Sequence, residues 1–80
     1  MTNQEILAEV QEIFRDVLDN EKIVLTEEIT ANDIEEWDSL THIQLIVAEE
    51  KHFKIKFQSK EILSWKNVGE MLDSIRLKLQ

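Results

Sequence analysis

Apolar residues recur every three or four positions through the first part of the chain, the spacing that places them on one face of a helix. Thr2 precedes this run and Glu5 follows three residues later, a pair typical of a capping box. Asp19 and Asn20 end the pattern, because their short polar side chains compete for backbone hydrogen bonds. The sequence therefore predicts a first helix between these limits. Its apolar positions are Ile6, Leu7, Val10, Ile13, Phe14, Val17 and Leu18.

Residues 20–38 contain neither Gly nor Pro, and apolar side chains are scattered along them without a helical or strand period. A structureless loop of this length is uncommon in a small domain. We therefore predict an irregular connection that is packed onto the core, with Thr26 capping a short turn over Glu27 and Glu28. The expected anchors are Ile23, Val24, Leu25, Ile29, Ile34 and Trp37.

Asp38 and Ser39 are both favourable N-cap residues, and the apolar positions after them predict a second helix as far as residues 50–51. At about 100° per residue, this helix has two apolar stripes on roughly opposite sides. One is expected to close the core, and the other either packs on the connection or stays available to a partner. The core stripe consists of Leu45, Ile46 and Phe53. The second, the Leu40 stripe, consists of Leu40, Ile43 and Val47.

The remainder of the chain predicts a connector and two helices. Residues 53–57 alternate apolar and basic side chains, but a lone strand has nothing to pair with, so we expect an extended connector. Ser59 is expected to cap a short helix over residues 60–64, and Asn67 to cap a last helix. The fold class predicted is all-α, a small four-helix bundle of three longer helices and one short helix, with a long first connection. The stripe of the last helix is Val68, Met71, Leu72, Ile75 and Leu79.

Composition narrows the class of protein. The 80 residues, 42% of them hydrophobic, suffice for one core, so residues 1–80 are expected to form a single domain, and a monomer. A net charge of −8 opposes the phosphate contacts of nucleic-acid binding and favours basic patches on other proteins. With no Cys and two His, no pattern indicates a metal site. No apolar run reaches membrane-spanning length and the N-terminus lacks a signal-peptide pattern, so we expect a cytoplasmic protein without membrane insertion.

The candidate chemistry is concentrated in residues 36–41. Ser39 places a hydroxyl at a helix N-terminus, where backbone N–H groups and the helix dipole would stabilise a phosphate attached to it. The simpler interpretation is that Asp38 and Ser39 only cap the helix. His42 lies close enough to Ser39 and Asp38 to suggest the Ser-His-Asp site of a hydrolase. We disfavour this interpretation, because residues so close in sequence rarely adopt the geometry of a catalytic triad and no oxyanion hole is visible. We therefore assign no catalytic residue.

The triplet Asp38-Ser39-Leu40, with the apolar and acidic residues 43–50 and Phe53 after it, resembles the second helix of acyl carrier proteins. The similarity covers essentially the whole chain in element order. It implies a non-catalytic carrier domain over residues 1–80 whose Ser39 receives a 4′-phosphopantetheine arm from coenzyme A. The resemblance implies as partners a Mg²⁺-dependent phosphopantetheinyl transferase, with Asp38 helping its docking, and enzymes that load and transfer acyl thioesters. The expected partner-recognition residues are Asp38, Leu40, Ile43 and Val47.

Several residues depart from the pattern of that family. Residues 41, 42 and 44 are neutral where the second helix is often acidic, Glu49 occupies a position that is often apolar, and Trp37 replaces a small or aliphatic residue. These departures favour a carrier of a specialised pathway, within the range of fatty acid, polyketide and specialised lipid synthesis. The alternative is an acidic helical adaptor that binds a partner without covalent modification, for which the acidic surface and the Leu40 stripe suffice. Residues 32–38 lack the ligands of a calcium-binding EF-hand.

Overall fold

Four helices make up the fold in the computed structural model, which describes residues 1–80. In chain order they are α1 (Asn3–Val17), α2 (Ser39–Phe53), α3 (Ser59–Ser64) and α4 (Val68–Leu79), with a single 3₁₀ turn (Ala31–Asp33) between α1 and α2. The predicted class, a small all-α bundle with one short helix and a long first connection, is confirmed. None of these helices combines the length and apolarity that crossing a membrane requires.

The caps of α1 and α4 are those that the sequence predicts. Thr2 Oγ1 accepts a hydrogen bond from the Glu5 N–H at 3.2 Å, and Glu5 Oε1 accepts one from the Thr2 N–H at 2.8 Å. Asn67 Oδ1 accepts from the Glu70 N–H at 3.0 Å. Each cap satisfies a backbone donor that has no partner inside the helix, which fixes the residue at which the helix begins.

Two boundaries differ from the prediction. α2 continues to Phe53, because Phe53 is buried on the inner face of the helix and Lys54 then takes a left-handed conformation with φ of 59°. Phe53 therefore belongs to α2, and the extended connector begins after it. Gln58, not Ser59, is the N-cap of α3, and the Gln58 N–H donates to Glu61 Oε1 at 3.1 Å. The connector forms no strand, as predicted.

The core lies where α1 packs against both α2 and α4. Its fully buried side chains come from the predicted stripes of all three helices, and Trp37 of the first connection packs edge-to-face on Phe14 with ring centroids 4.9 Å apart. The apolar side chains with the least exposure are Ile6, Val10, Phe14, Leu45, Val68, Met71, Leu72 and Ile75. The bundle and the connection therefore share one core.

The first connection is packed as predicted, with one error. Ile23, Leu25, Ile34 and Trp37 are buried and Ile29 is half-buried against the core, whereas Val24 is 66% exposed. Val24 lies between two buried neighbours in a stretch without helix, and successive side chains of extended backbone point to opposite sides. The 3₁₀ turn that Thr30 caps was not predicted.

Gly69 is the point at which the connection meets α4. The Gly69 N–H donates to Glu27 O at 2.8 Å, and the Val68 N–H donates to Ile29 O at 2.9 Å. A Cβ at position 69 would lie 3.1 Å from Glu27 O and 3.2 Å from Glu27 Cβ, which is tighter than ordinary contact. Glycine therefore permits the connection to approach closely enough to satisfy the first backbone donors of α4.

One carboxyl group is buried in this core. Glu49 has no exposed surface, and neither of its carboxyl oxygens has a hydrogen-bond partner. Burial, reinforced by the neighbouring charge of Glu50, raises the pKa of Glu49 to about 8. Glu49 is therefore protonated at neutral pH, and the departure seen in the sequence is an uncharged but unpartnered polar group among apolar side chains.

Replacing Glu49 by Leu is expected to raise the free energy of unfolding by on the order of 2 kcal/mol at pH 7.5, because the unpartnered buried carboxyl is removed. In the wild type, stability should fall as the pH rises from 4.5 towards about 8, since the unfolded chain loses the Glu49 proton before the folded one does. Urea unfolding followed by circular dichroism across this range measures both effects. The exposed Glu35→Leu variant is the control and should keep the wild-type slope, whereas an unchanged slope in Glu49→Leu would contradict the assignment.

Candidate functional site

The candidate site lies at the N-terminus of α2, which Asp38 caps. Asp38 Oδ1 accepts hydrogen bonds from the Leu40 N–H at 3.0 Å and the Thr41 N–H at 2.9 Å. In return, the Thr41 hydroxyl accepts from the Asp38 N–H at 2.8 Å. The hydrogen bond from the Thr41 backbone is the main cause that holds the pKa of Asp38 below its usual value. Asp38 is therefore a charged cap at neutral pH, and the capping interpretation is correct for this residue.

Ser39 is the first residue of α2, and its side chain is exposed. Neither its hydroxyl nor its backbone N–H has a hydrogen-bond partner within the protein. The sequence predicts several free N–H groups at this helix start, but those of Leu40 and Thr41 donate to Asp38 Oδ1. A phosphate on Ser39 Oγ would therefore meet one free N–H and the positive end of the α2 dipole, opposed by the Asp38 carboxylate.

Ser39 borders a cleft of about 420 Å³. The first connection, the start of α2, α3 and the start of α4 all contribute to its lining. Trp37, His42 and Trp65 form an aromatic wall, and Met71 and Lys66 also line the cleft. Ser39 therefore borders a mixed aromatic and polar depression.

His42 is fixed in this wall by a hydrogen bond. Its Nδ1 accepts from Trp37 Nε1–H at 3.0 Å, and the two rings stack with centroids 5.9 Å apart. Because Nδ1 is the acceptor, Nε2 carries the proton of the neutral ring. Burial lowers the pKa of His42, so the ring is neutral at neutral pH. The ring makes no hydrogen bond to Ser39 or Asp38, and the hydrolase arrangement is therefore not formed.

The Leu40 stripe faces solvent. Leu40 is 68% exposed, Ile43 62% and Val47 44%, whereas Leu45 and Ile46 of the same helix are buried. The sequence pattern leaves open whether the Leu40 stripe packs on the first connection or stays exposed, and in the structure it is exposed. Three apolar side chains thus lie on the surface of the helix that Ser39 begins.

Sequence reasoning missed the hydrogen bonds that hold the cleft wall. The Trp37–His42 pair spans the cap of α2, and Trp65 Nε1–H donates to Ser74 Oγ of α4 at 2.8 Å. No local spacing signals either contact, because both depend on where the connection and α3 pack. Across residues 1–80, no group of three His, Cys, Asp or Glu side chains is arranged to hold a metal ion.

Replacing Asp38 by Ala is expected to lower the melting temperature and to speed amide exchange at Leu40 and Thr41, because both N–H groups lose their acceptor. Asp38→Asn keeps an acceptor oxygen and should retain most of the protection. Since the pKa of Asp38 is lowered in the folded chain, the cap stabilises the protein above the unfolded-state pKa and is lost as the pH falls through the folded value. Exchange measured by NMR at several pH values tests this, and identical protection in Asp38→Ala and wild type would refute it.

No protein-family model matches the chain. Among solved structures, the chain is similar to a solution structure of a holo acyl carrier protein from Geobacter metallireducens, with 51% sequence identity. The match covers 91% of this chain and 84% of that one, with a TM-score of 0.87. Half of the residues are thus identical along nearly the full length of a shared helical fold. The chain belongs to the acyl carrier protein family.

Proposed function

We propose that Ser39 bears a 4′-phosphopantetheine arm and that residues 1–80 act as the acyl carrier domain that presents thioesters on this arm to partner enzymes. The observation that carries the proposal is the exposed, unpartnered hydroxyl of Ser39 at the first position of α2. The similar Geobacter protein is in its holo form, which supports the same modification here. Members of this family are carriers and not enzymes, and that membership disfavours the unmodified adaptor.

The attachment is a group transfer that a separate phosphopantetheinyl transferase carries out. Ser39 Oγ attacks the phosphorus of coenzyme A that is esterified to pantetheine, and the P–O bond of the pyrophosphate breaks. 3′,5′-Adenosine bisphosphate leaves, and the hydroxyl proton passes to a base of the transferase. Mg²⁺ held by that enzyme offsets the phosphate charge. This chain supplies only the nucleophile and its orientation.

The start of α2 orients the nucleophile and favours the product. Asp38 fixes the first turn through two backbone hydrogen bonds, so Ser39 points outward from a rigid element. The dipole of α2 is equivalent to roughly half a positive charge at this end, which stabilises the phosphodiester formed on Ser39. The Asp38 carboxylate opposes part of this gain, and its position beside the nucleophile is consistent with a contact to the transferase.

The Leu40 stripe and the acidic surface suggest the chemistry of the partner enzymes. The three exposed apolar side chains continue from Ser39 along α2. Glu35, Glu36 and Asp38 are exposed just before the helix, in a chain with a net charge of −8. A partner surface with an apolar patch bordered by basic residues is complementary to both features. The recognition role of Asp38, Leu40, Ile43 and Val47 stays a prediction.

Incubation with coenzyme A, Mg²⁺ and a promiscuous phosphopantetheinyl transferase is expected to add the mass of one phosphopantetheine to the wild type. Ser39→Ala should gain nothing, because the hydroxyl that accepts the phosphopantetheine is removed. Intact-mass spectrometry, with peptide mapping of the modified residue, is the measurement.

Ser59 provides a matched control for this experiment. It is also an exposed serine at the first position of a helix, α3, but the sequence around it does not resemble the attachment site. Ser59→Ala should be modified at the wild-type rate. Modification that persists in Ser39→Ala, or a wild type that no transferase modifies, would refute the proposed function.

Asp substitutions at Ile43 and Val47 are expected to lower kcat/KM of partner enzymes for the holo protein about tenfold, or ~1.4 kcal/mol, because a charge would enter the apolar contact. Helicity should change little, since both side chains face solvent. Leu77→Asp on α4, at a residue that is also 62% exposed, is the control and should leave turnover unchanged. Circular dichroism and steady-state kinetics separate recognition from folding, and loss of helicity in the α2 variants would show the stripe to be structural.

A further inference from the structure

We propose that the cleft formed by Trp37, His42, Trp65 and Lys66 beside Ser39 binds the carried acyl group and selects short acyl chains bearing a neutral oxygen acceptor over hydrocarbon chains. A hydroxyl or an amide oxygen close to the thioester would meet this requirement. The inference rests on the proposed function, because it requires the arm on Ser39. It goes further by assigning the chemical class of the cargo.

This cleft is the cavity that Ser39 borders. Of the other three cavities, one is lined by α1 and the start of the first connection, one by α1 and His52 of α2, and one by the first connection alone. Ser39 lines none of them. The arm is flexible, so its tip can fold back over the exposed serine into the cleft. An acyl group that is sheltered near its attachment point would therefore be sheltered here.

The walls of the cleft are held by hydrogen bonds of two indole groups. Trp37 Nε1–H is bound to His42 Nδ1 at 3.0 Å, and Trp65 Nε1–H is bound to Ser74 Oγ at 2.8 Å. Trp65 also packs edge-to-face on Phe57, with centroids 5.0 Å apart. Displacing either indole to admit a longer chain would break one of these bonds and leave a partly buried N–H without a partner. The walls therefore resist widening.

The floor and the volume of the cleft limit the length of the acyl chain that it can hold. Met71 is 1% exposed and Trp37 8%, so both close the cleft towards the core. A volume of about 420 Å³ lies towards the lower end of the roughly 300–1,000 Å³ typical of small-molecule sites. The tip of the arm must occupy part of this space. What is left accommodates an acyl group of a few carbons.

The lining of the cleft offers hydrogen-bond donors that the protein leaves unused. His42 Nε2–H has no partner, because only Nδ1 of the ring is hydrogen-bonded. The Lys66 ammonium takes part in none of the four ion pairs of the molecule. Asn67 uses its Oδ1 to cap α4, which leaves its Nδ2–H₂ group free.

These donors decide between classes of cargo. A hydrocarbon chain in the cleft would displace the water bound to these donors without replacing its hydrogen bonds, and leaving a polar group unpaired in this way costs free energy. A hydroxyl or amide oxygen would satisfy at least one of them. A terminal carboxylate is disfavoured, because repulsion from the Asp38 carboxylate in a chain with a net charge of −8 opposes its attraction to the Lys66 ammonium.

The test compares three cargoes attached to Ser39 through hydrolysis-stable amide analogues of the arm: butanoyl, 3-hydroxybutanoyl and octanoyl. The 3-hydroxybutanoyl form is expected to slow hydrogen exchange of His42 Nε2–H at least about tenfold relative to the butanoyl form, as measured by ¹⁵N NMR. It should also have the highest melting temperature of the three. Lys66→Met is expected to reduce this thermal advantage, whereas Lys60→Met, an exposed lysine of α3 outside the cleft, should not.

The outcomes separate this inference from the function on which it rests. Failure to attach any of the three cargoes to Ser39 would overturn both. Attachment followed by equal His42 exchange in the butanoyl and 3-hydroxybutanoyl forms would overturn only the selection of cargo. The greatest protection in the octanoyl form would also overturn it, because the walls would then have opened to a long chain.

Discussion

The hydrogen bonds from the Leu40 and Thr41 N–H groups to Asp38 determine much of what this protein presents to others. They fix the residue at which α2 begins, and a helix that begins at Ser39 has its serine in the first turn and free of backbone contacts. Burial of the core stripe sets the rotation of the same helix, because side chains follow at about 100° per residue. The core stripe faces inward and the Leu40 stripe outward.

The aromatic residues join this helix start to the interior. Phe14 of α1 contacts Trp37, Trp37 stacks on His42, His42 meets the edge of Trp65 with centroids 6.4 Å apart, and Trp65 packs on Phe57. The chain of contacts runs from the core, past Ser39, to the connector before α3. The surface around Ser39 is thus joined to the packed interior by a continuous series of ring contacts.

The fold could be predicted from the sequence where a signal is local. The Thr2–Glu5 box, the Asp38 cap and the Asn67 cap are short-range patterns, and the helices begin where those patterns place them. Val24 was assigned wrongly because an irregular segment has no period from which to infer its buried side. The cleft could not be predicted, since its walls depend on hydrogen bonds between side chains that tertiary packing brings together. Ser39 could be proposed as the attachment residue from its motif, whereas the hydrogen bonds of the two neighbouring N–H groups to Asp38 could be seen only in the structure.

The contact at Gly69 couples two ends of the molecule that sequence distance separates. Glu27 packs against Gly69, and the segment that follows Glu27 continues through Thr30 to Trp37, both of which line the cleft. A methyl group at position 69 would push Glu27, and the segment that follows it, away from α4. The absence of a side chain at Gly69, well away from Ser39 along the chain, therefore influences the shape of the cleft that Ser39 borders.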